Sequence, residues 1–137
     1  MNNWQNVAVS MLPELQARIE EAETPMSLWC EIVHAFDEAY DEPRNDDFIE
    51  RVYRYADWSL QQPEGETAAE HLPTCVVICF WEHLPTYEPA RNDMPRWISF
   101  EDLIANQQVF RHSLSDREFE ELKGLYSDVS ASNQPTA

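Results

Sequence analysis

The chain has 137 residues, 43% of them hydrophobic and 12% aromatic, and its 26 Asp and Glu face nine Lys and Arg for a formal net charge of -17. Such a field argues against nucleic-acid and anionic-membrane partners, because both are held chiefly through Lys and Arg. The apolar content argues against disorder, and two Gly are too few for the tight turns of a hairpin-rich sandwich.

The length suits one domain with a real core. The sequence predicts an all-α fold: a single-domain bundle or irregular array of about six helices around an apolar central helix at 74–84. The domain is expected to span 1–130, with a frayed tail over 131–137 where Ser, Asn, Gln, Pro and Thr take over.

In chain order, Leu12, Leu15, Ile19 and Ala22 recur at helical spacing and predict the first helix, with Pro13 in its first turn. Thr24-Pro25 reads as an N-cap followed by proline at the first helical position. The helix it opens runs to about Tyr40, with Leu28, Trp29, Ile32, Val33, Phe36 and Tyr40 on a wide inner face. Asn45 or Asp46 caps a third helix that turns Phe48, Ile49, Val52, Tyr53, Ala56 and Leu60 inward. The run Cys75 to Trp81 is apolar on every side and predicts a buried central helix. Residues 85–98 carry three prolines and read as a loop. Ser99 opens a fifth helix with Leu103, Ile104 and Phe110 inside. Ser115 and Glu118 form a capping box for a sixth, with Phe119, Leu122, Tyr126 and Val129 inside.

Two repetitions stand out. Glu70-His-Leu-Pro-Thr74 recurs as Glu82-His-Leu-Pro-Thr86, and Glu42-Pro-Arg-Asn-Asp46 resembles Glu88-Pro-Ala-Arg-Asn-Asp93. The intervening apolar patterns do not superimpose, so the pentapeptides are read as helix punctuation: Pro73 starts a helix and Pro85 stops it.

Cys30, Cys75 and Cys79 are an odd set within apolar segments, and they read as buried thiols of a reducing cytosol. The segment Met1–Asn6 shows neither a basic stretch nor a long apolar one, so no signal peptide is expected, and a cytoplasmic location is.

Several constellations bear on chemistry. Glu31-x-x-His34 matches half of a carboxylate-bridged di-metal motif, but no second copy exists, and Glu31, His34, Glu38 and Asp41 fall opposite the apolar stripe. His71, Cys75, Cys79 and His83 recur every four residues and are ligand types for zinc, yet one straight helix cannot wrap an ion. Cys30 and His34 are a helical turn apart, with Cys30 leaning toward the apolar face. No phosphate loop or nucleophile elbow is present. No cofactor and no catalytic set is therefore assigned.

Acidic charge is concentrated early: residues 1–70 sum to -12 and residues 71–137 to -5. The densest stretch runs from Asp37 to Glu50. Asp47 with Arg51 and Glu50 with Arg54 sit at ion-pair spacing on a helix. Asp37, Glu38, Asp41, Glu42 and Asp46 have no such neighbours and are read as unpaired. Asp41 and Glu42 oppose the dipole at a helix C-terminus, a cost that a binding role would justify.

The segments Trp29–Asp37, Asn45–Leu60 and Cys79–Pro85 are similar to those of uncharacterised small acidic helical bacterial proteins. The likeness covers about a third of the chain and implies a helical fold; it carries over no residue role. The expectation is a non-catalytic acidic binding module for a basic protein, like immunity proteins and antitoxins, with Asp37, Glu38, Asp41, Glu42 and Asp46 as the binding residues. The alternatives are a metal-dependent enzyme built on His71, Cys79, His83 or Glu31/His34, and a structural protein that self-associates as a homodimer through aromatics near Tyr87 and Trp97.

Overall fold

Every regular element among the described residues is helical. The computed structural model describes the backbone of residues 1–133 and the side chains as far as residue 127. The chain is all-α and divides into two compact units, 1–80 and 81–137.

In the first unit, α1 (Asn3–Met11) precedes a 3-10 turn at Pro13–Leu15 and α2 (Gln16–Glu21). Only the latter part of this hairpin was expected. The overlooked signal for α1 is a capping box between Asn2 and Gln5, in which the Asn2 N–H donates to Gln5 Oε1 at 2.8 Å. Outside the box, the Gln5 side-chain amide donates to the Ile19 carbonyl at 3.0 Å and ties α1 to α2. Leu12, Leu15 and Ile19 are buried as expected.

The next two helices follow their caps. Thr24 Oγ1 accepts from the Ser27 N–H at 3.1 Å and Pro25 begins α3 (Pro25–Glu38). Asn45 Oδ1 accepts from the Phe48 N–H at 3.1 Å and opens α4 (Asp46–Leu60). Trp29, Phe36 and Tyr53 from these helices meet Phe80, and Tyr55 stacks on Trp29 at 5.4 Å. Phe80 has ring centroids 5.4 Å from Trp29, 5.0 Å from Phe36 and 5.1 Å from Tyr53. Each such pair adds about 0.5–1.5 kcal/mol beyond burial. Tyr55 was not expected in the core; its hydroxyl donates to the Trp4 carbonyl at 3.0 Å and ties α1 to α4.

The apolar run 75–81 departs from a uniformly buried helix. A short α5 (Leu72–Cys75) passes into a π-helical segment at Val76–Trp81. Leu72, Cys75, Val76 and Phe80 are buried, while Ile78 is 46% exposed. Apolar composition on all sides does not require burial on all sides: the backbone here offers one stripe inward. The repeated pentapeptides each open a helical turn. Thr74 Oγ1 lies 2.8 Å from His71 Nδ1, and Thr86 Oγ1 donates to the His83 carbonyl at 2.6 Å. The Glu-Pro repeats do not match in structure. Glu42-Pro43 is a cis peptide in a loop, whereas Glu88-Pro89 begins a helix.

In the second unit, residues 88–97 form α6 (Glu88–Trp97) where a loop was expected. Pro89 lies in the first turn, where its missing N–H costs nothing. Pro95 falls near the C-terminal end, and the helix gains the burial of Ala90 and Met94. The buried Asp93 carboxylate accepts from Trp97 Nε1 at 2.9 Å and lies 3.3 Å from Arg96. Ser99 caps α7 (Phe100–Ala105), which is followed by α8 (Gln107–Phe110). The Ser115/Glu118 capping box is present, with reciprocal bonds of 3.0 and 3.1 Å, and opens α9 (Asp116–Asn133). Phe119, Leu122 and Tyr126 are buried. Val129 lies beyond the described side chains, and of the tail expected at 131–137, residues 134–137 lie outside the described residues. Among the described residues, no helix is long and apolar enough to cross a membrane.

Candidate functional site

The acidic segment occupies the last turn of α3, the following loop and the start of α4. Glu38, Asp41, Glu42 and Asp46 are exposed and Asp37 is half-buried. The loop is held by the Asn45 N–H, which donates to the Ala39 carbonyl at 2.8 Å. Arg44 stacks over the Tyr40 ring at 4.8 Å and bonds Asp46 at 2.8 Å. Glu38 pairs with His34 at 2.9 Å. The expectation of five unpaired acids is therefore corrected. Asp46 is answered by Arg44 and Glu38 by His34, because short loop and helix spacings bring these side chains within reach, and Asp37 also has a partner. Among the described residues, Asp41 and Glu42 carry no ion pair.

The expected helix pairs on α4 are present. Arg54 bonds Glu50 at 2.7 Å and Arg51 bonds Asp47 at 3.0 Å. Arg51 does more. It reaches Glu14 in a two-pronged contact of 2.6 and 2.5 Å and donates to the Met11 carbonyl at 3.0 Å. The Arg51 bond holds the Glu14 carboxyl below its ordinary value, and the pair holds the guanidinium charged.

Beside these residues lies a shallow groove of about 320 Å³ with Leu15, Ala35, Ala39 and Phe48 on its floor and Glu14 and Glu38 on its rim. It adjoins the Asp41–Glu42 loop through Pro43. Apolar floor and anionic rim together suit a side chain with an aliphatic stem and a cationic tip.

The metal candidates do not assemble. Glu31 and His34 are exposed, and each is engaged by a neighbour, Arg18 at 3.7 Å and Glu38 at 2.9 Å. His71 faces Thr74, the Cys75 thiol points to the Ala69 carbonyl at 3.5 Å, and His83 stacks on Tyr87 at 6.2 Å. Among the described residues there is no group of three or more His, Cys, Asp or Glu able to hold a metal ion.

Two of the three thiols depart from expectation, and Cys75 meets it. Cys30 is exposed, because it falls on the flank of α3 between the inward Trp29 and the outward Glu31; Cys75 is buried and Cys79 half-buried. Burial pushes the Cys75 thiol up to about 11, so it stays protonated at neutral pH. Tyr87 and Trp97 are half-buried, and among the described residues the exposed large apolar side chains are Met1, Ile78 and Phe100.

A second hollow, invisible in the sequence, forms where residues 2–4, 23–25 and 65–70 converge. It has a volume of about 330 Å³ and is lined by Asn2, Trp4, Glu23, Pro25, Gly65 and Glu70, among others. Comparison of this chain with protein-family models, with curated proteins and with solved structures gave no match in any of the three.

Proposed function

We propose that this chain is a non-catalytic acidic binding module for a basic protein, acting as immunity proteins and antitoxins do when they cover a cationic partner. The carrying observation is the Asp41–Glu42 loop, exposed and without an ion pair among the described residues, beside an apolar groove rimmed by Glu14 and Glu38. A basic side chain entering the groove would meet Glu38 and, in the adjoining loop, Asp41 and Glu42, whose desolvation it offsets, while Glu14 is already held by Arg51. The surrounding field would steer it there and make association salt-dependent.

The test is a pull-down from host lysate with wild-type protein and with Asp37→Lys/Glu38→Lys/Asp41→Lys/Glu42→Lys, with elution by a salt gradient and identification by mass spectrometry. The reading expects a basic protein enriched near one-to-one, released by salt and lost on charge reversal. Recovery of the same partners at the same salt by both proteins would reduce the acidic surface to a solubilising one.

A further inference from the structure

We infer that the hollow bounded by Trp4, Glu23 and Glu70 is a binding site for an alkylammonium group, separate from the Asp41–Glu42 loop. Three stretches distant in sequence build it, and each is fixed by its own bonds. The Tyr55 hydroxyl donates to the Trp4 carbonyl at 3.0 Å, so the Trp4 backbone is anchored to α4. The Gln5 amide ties α1 to the Ile19 and Ala22 carbonyls at 3.0 and 3.3 Å, next to Glu23. The Thr24/Ser27 capping box fixes the turn that carries Glu23. Gly65 lies so close to Glu70 that an added Cβ would sit 2.6 Å from the Glu70 carbonyl carbon. The hollow is therefore part of the fold rather than a gap between loose side chains.

Its chemistry is one-sided. No Lys, Arg or His lines it. The indole offers a ring of the kind that attracts a cation through its negative face. Glu23 has no hydrogen-bond or ion-pair partner among the described residues, and Glu70 accepts only a 3.3 Å bond from the Thr67 hydroxyl. The N-terminus of α3 contributes roughly half a positive charge nearby. Two formal carboxylate charges outweigh it, so the site favours a cation. The volume stands at the small end of ligand pockets, roughly 300–1,000 Å³. An ammonium head on a short alkyl stem suits that space: the head lies between the carboxylates and the stem lies against Trp4 and Pro25. The source is either a free amine or a lysine side chain of a peptide.

The experiment follows the Trp indole N–H resonances of ¹⁵N-labelled protein during titration with n-butylammonium chloride and, separately, with an acetyl-Gly-Lys-Gly-amide peptide, at ionic strength fixed with NaCl. The Trp4 signal is identified by its loss in Trp4→Phe. The inference expects a saturable shift confined to Trp4, weakened roughly fivefold in Glu23→Gln/Glu70→Gln, the scale of an exposed ion pair or cation–π contact. Both glutamates are exposed, so this variant is expected to keep the wild-type circular-dichroism spectrum and melting temperature. Tighter binding of the peptide would assign the site to a protein lysine; tighter binding of butylammonium would assign it to a small amine. A shift that never saturates and is reproduced by NaCl alone would overturn the inference. So would a saturable shift that the Glu23→Gln/Glu70→Gln variant leaves unchanged.

Discussion

Replacing Arg51 with Met removes the most connected cation of the first unit and leaves an aliphatic stem over the Phe48 ring, which the guanidinium covers at 5.5 Å. Three ties are lost. The bond to the Met11 carbonyl, at 3.0 Å and half-buried, is worth about 1 kcal/mol. The two-pronged contact with Glu14 joins side chains 22% and 43% exposed, which places it near the top of the range for accessible pairs, again about 1 kcal/mol. The helical pair with Asp47 adds only about 0.3–0.5 kcal/mol, because Asp47 is 77% exposed. The expected loss is about 2 kcal/mol in urea unfolding followed by circular dichroism. Its pH dependence has a defined sign. Arg51 lowers the folded-state value of Glu14 below its unfolded 4.5, so this stabilisation is complete above that pH and fades as pH falls through the folded value. The gap between wild type and Arg51→Met should hold steady from pH 6 to 8 and narrow below about pH 4.5. A double-mutant cycle with Glu14→Gln should give a coupling of about 1 kcal/mol. Additivity within about 0.3 kcal/mol, or a gap unchanged into acid, would refute the assignment of Arg51 as a hub.

Other expectations follow from the same packing. Phe80→Ala empties the centre of the aromatic cluster and should cost about 3–5 kcal/mol by urea unfolding. The two glycines should respond with opposite signs. Gly65→Ala forces atoms apart at the Glu70 backbone and should cost about 1–3 kcal/mol, whereas Gly124→Ala meets nothing within 4 Å and should stabilise α9 by about 0.5–1 kcal/mol. Exposed Cys30 should react with a disulfide reagent in the native state, while Cys75 should react only on unfolding; equal rates in a timed thiol assay would contradict the burial described.

Most of the fold was readable from local chemistry. Thr24, Asn45, Ser99 and Ser115 each begin a helix by satisfying exposed N–H groups, and that signal needs no tertiary context. Two errors share a cause, the weighing of composition over position. Prolines 89 and 95 suggested a loop, although Pro89 sits where a helix tolerates it. The uniformly apolar 75–81 run suggested burial all round, although Ile78 faces out. Helix α1 was missed because its apolar stripe is thin and its cap uses Asn2 and Gln5, a less familiar box.

The candidate sites were less legible. The exposure of the acidic loop could be foreseen, but the side chains answering Glu38 and Asp46 depended on rotamers and loop closure. The Trp4 hollow joins segments more than sixty residues apart. No periodicity in the chain encodes that convergence.

The central claim is that position, more than total charge, makes the acidic loop a binding surface. Asp41→Lys/Glu42→Lys and Glu64→Lys/Glu66→Lys both bring the net charge from -17 to -13, and all four residues are exposed in the first unit. Side-by-side pull-downs at physiological salt should show the basic partner retained by the 64/66 variant and lost by the 41/42 variant. Equal retention, or equal loss, in the two would contradict the account.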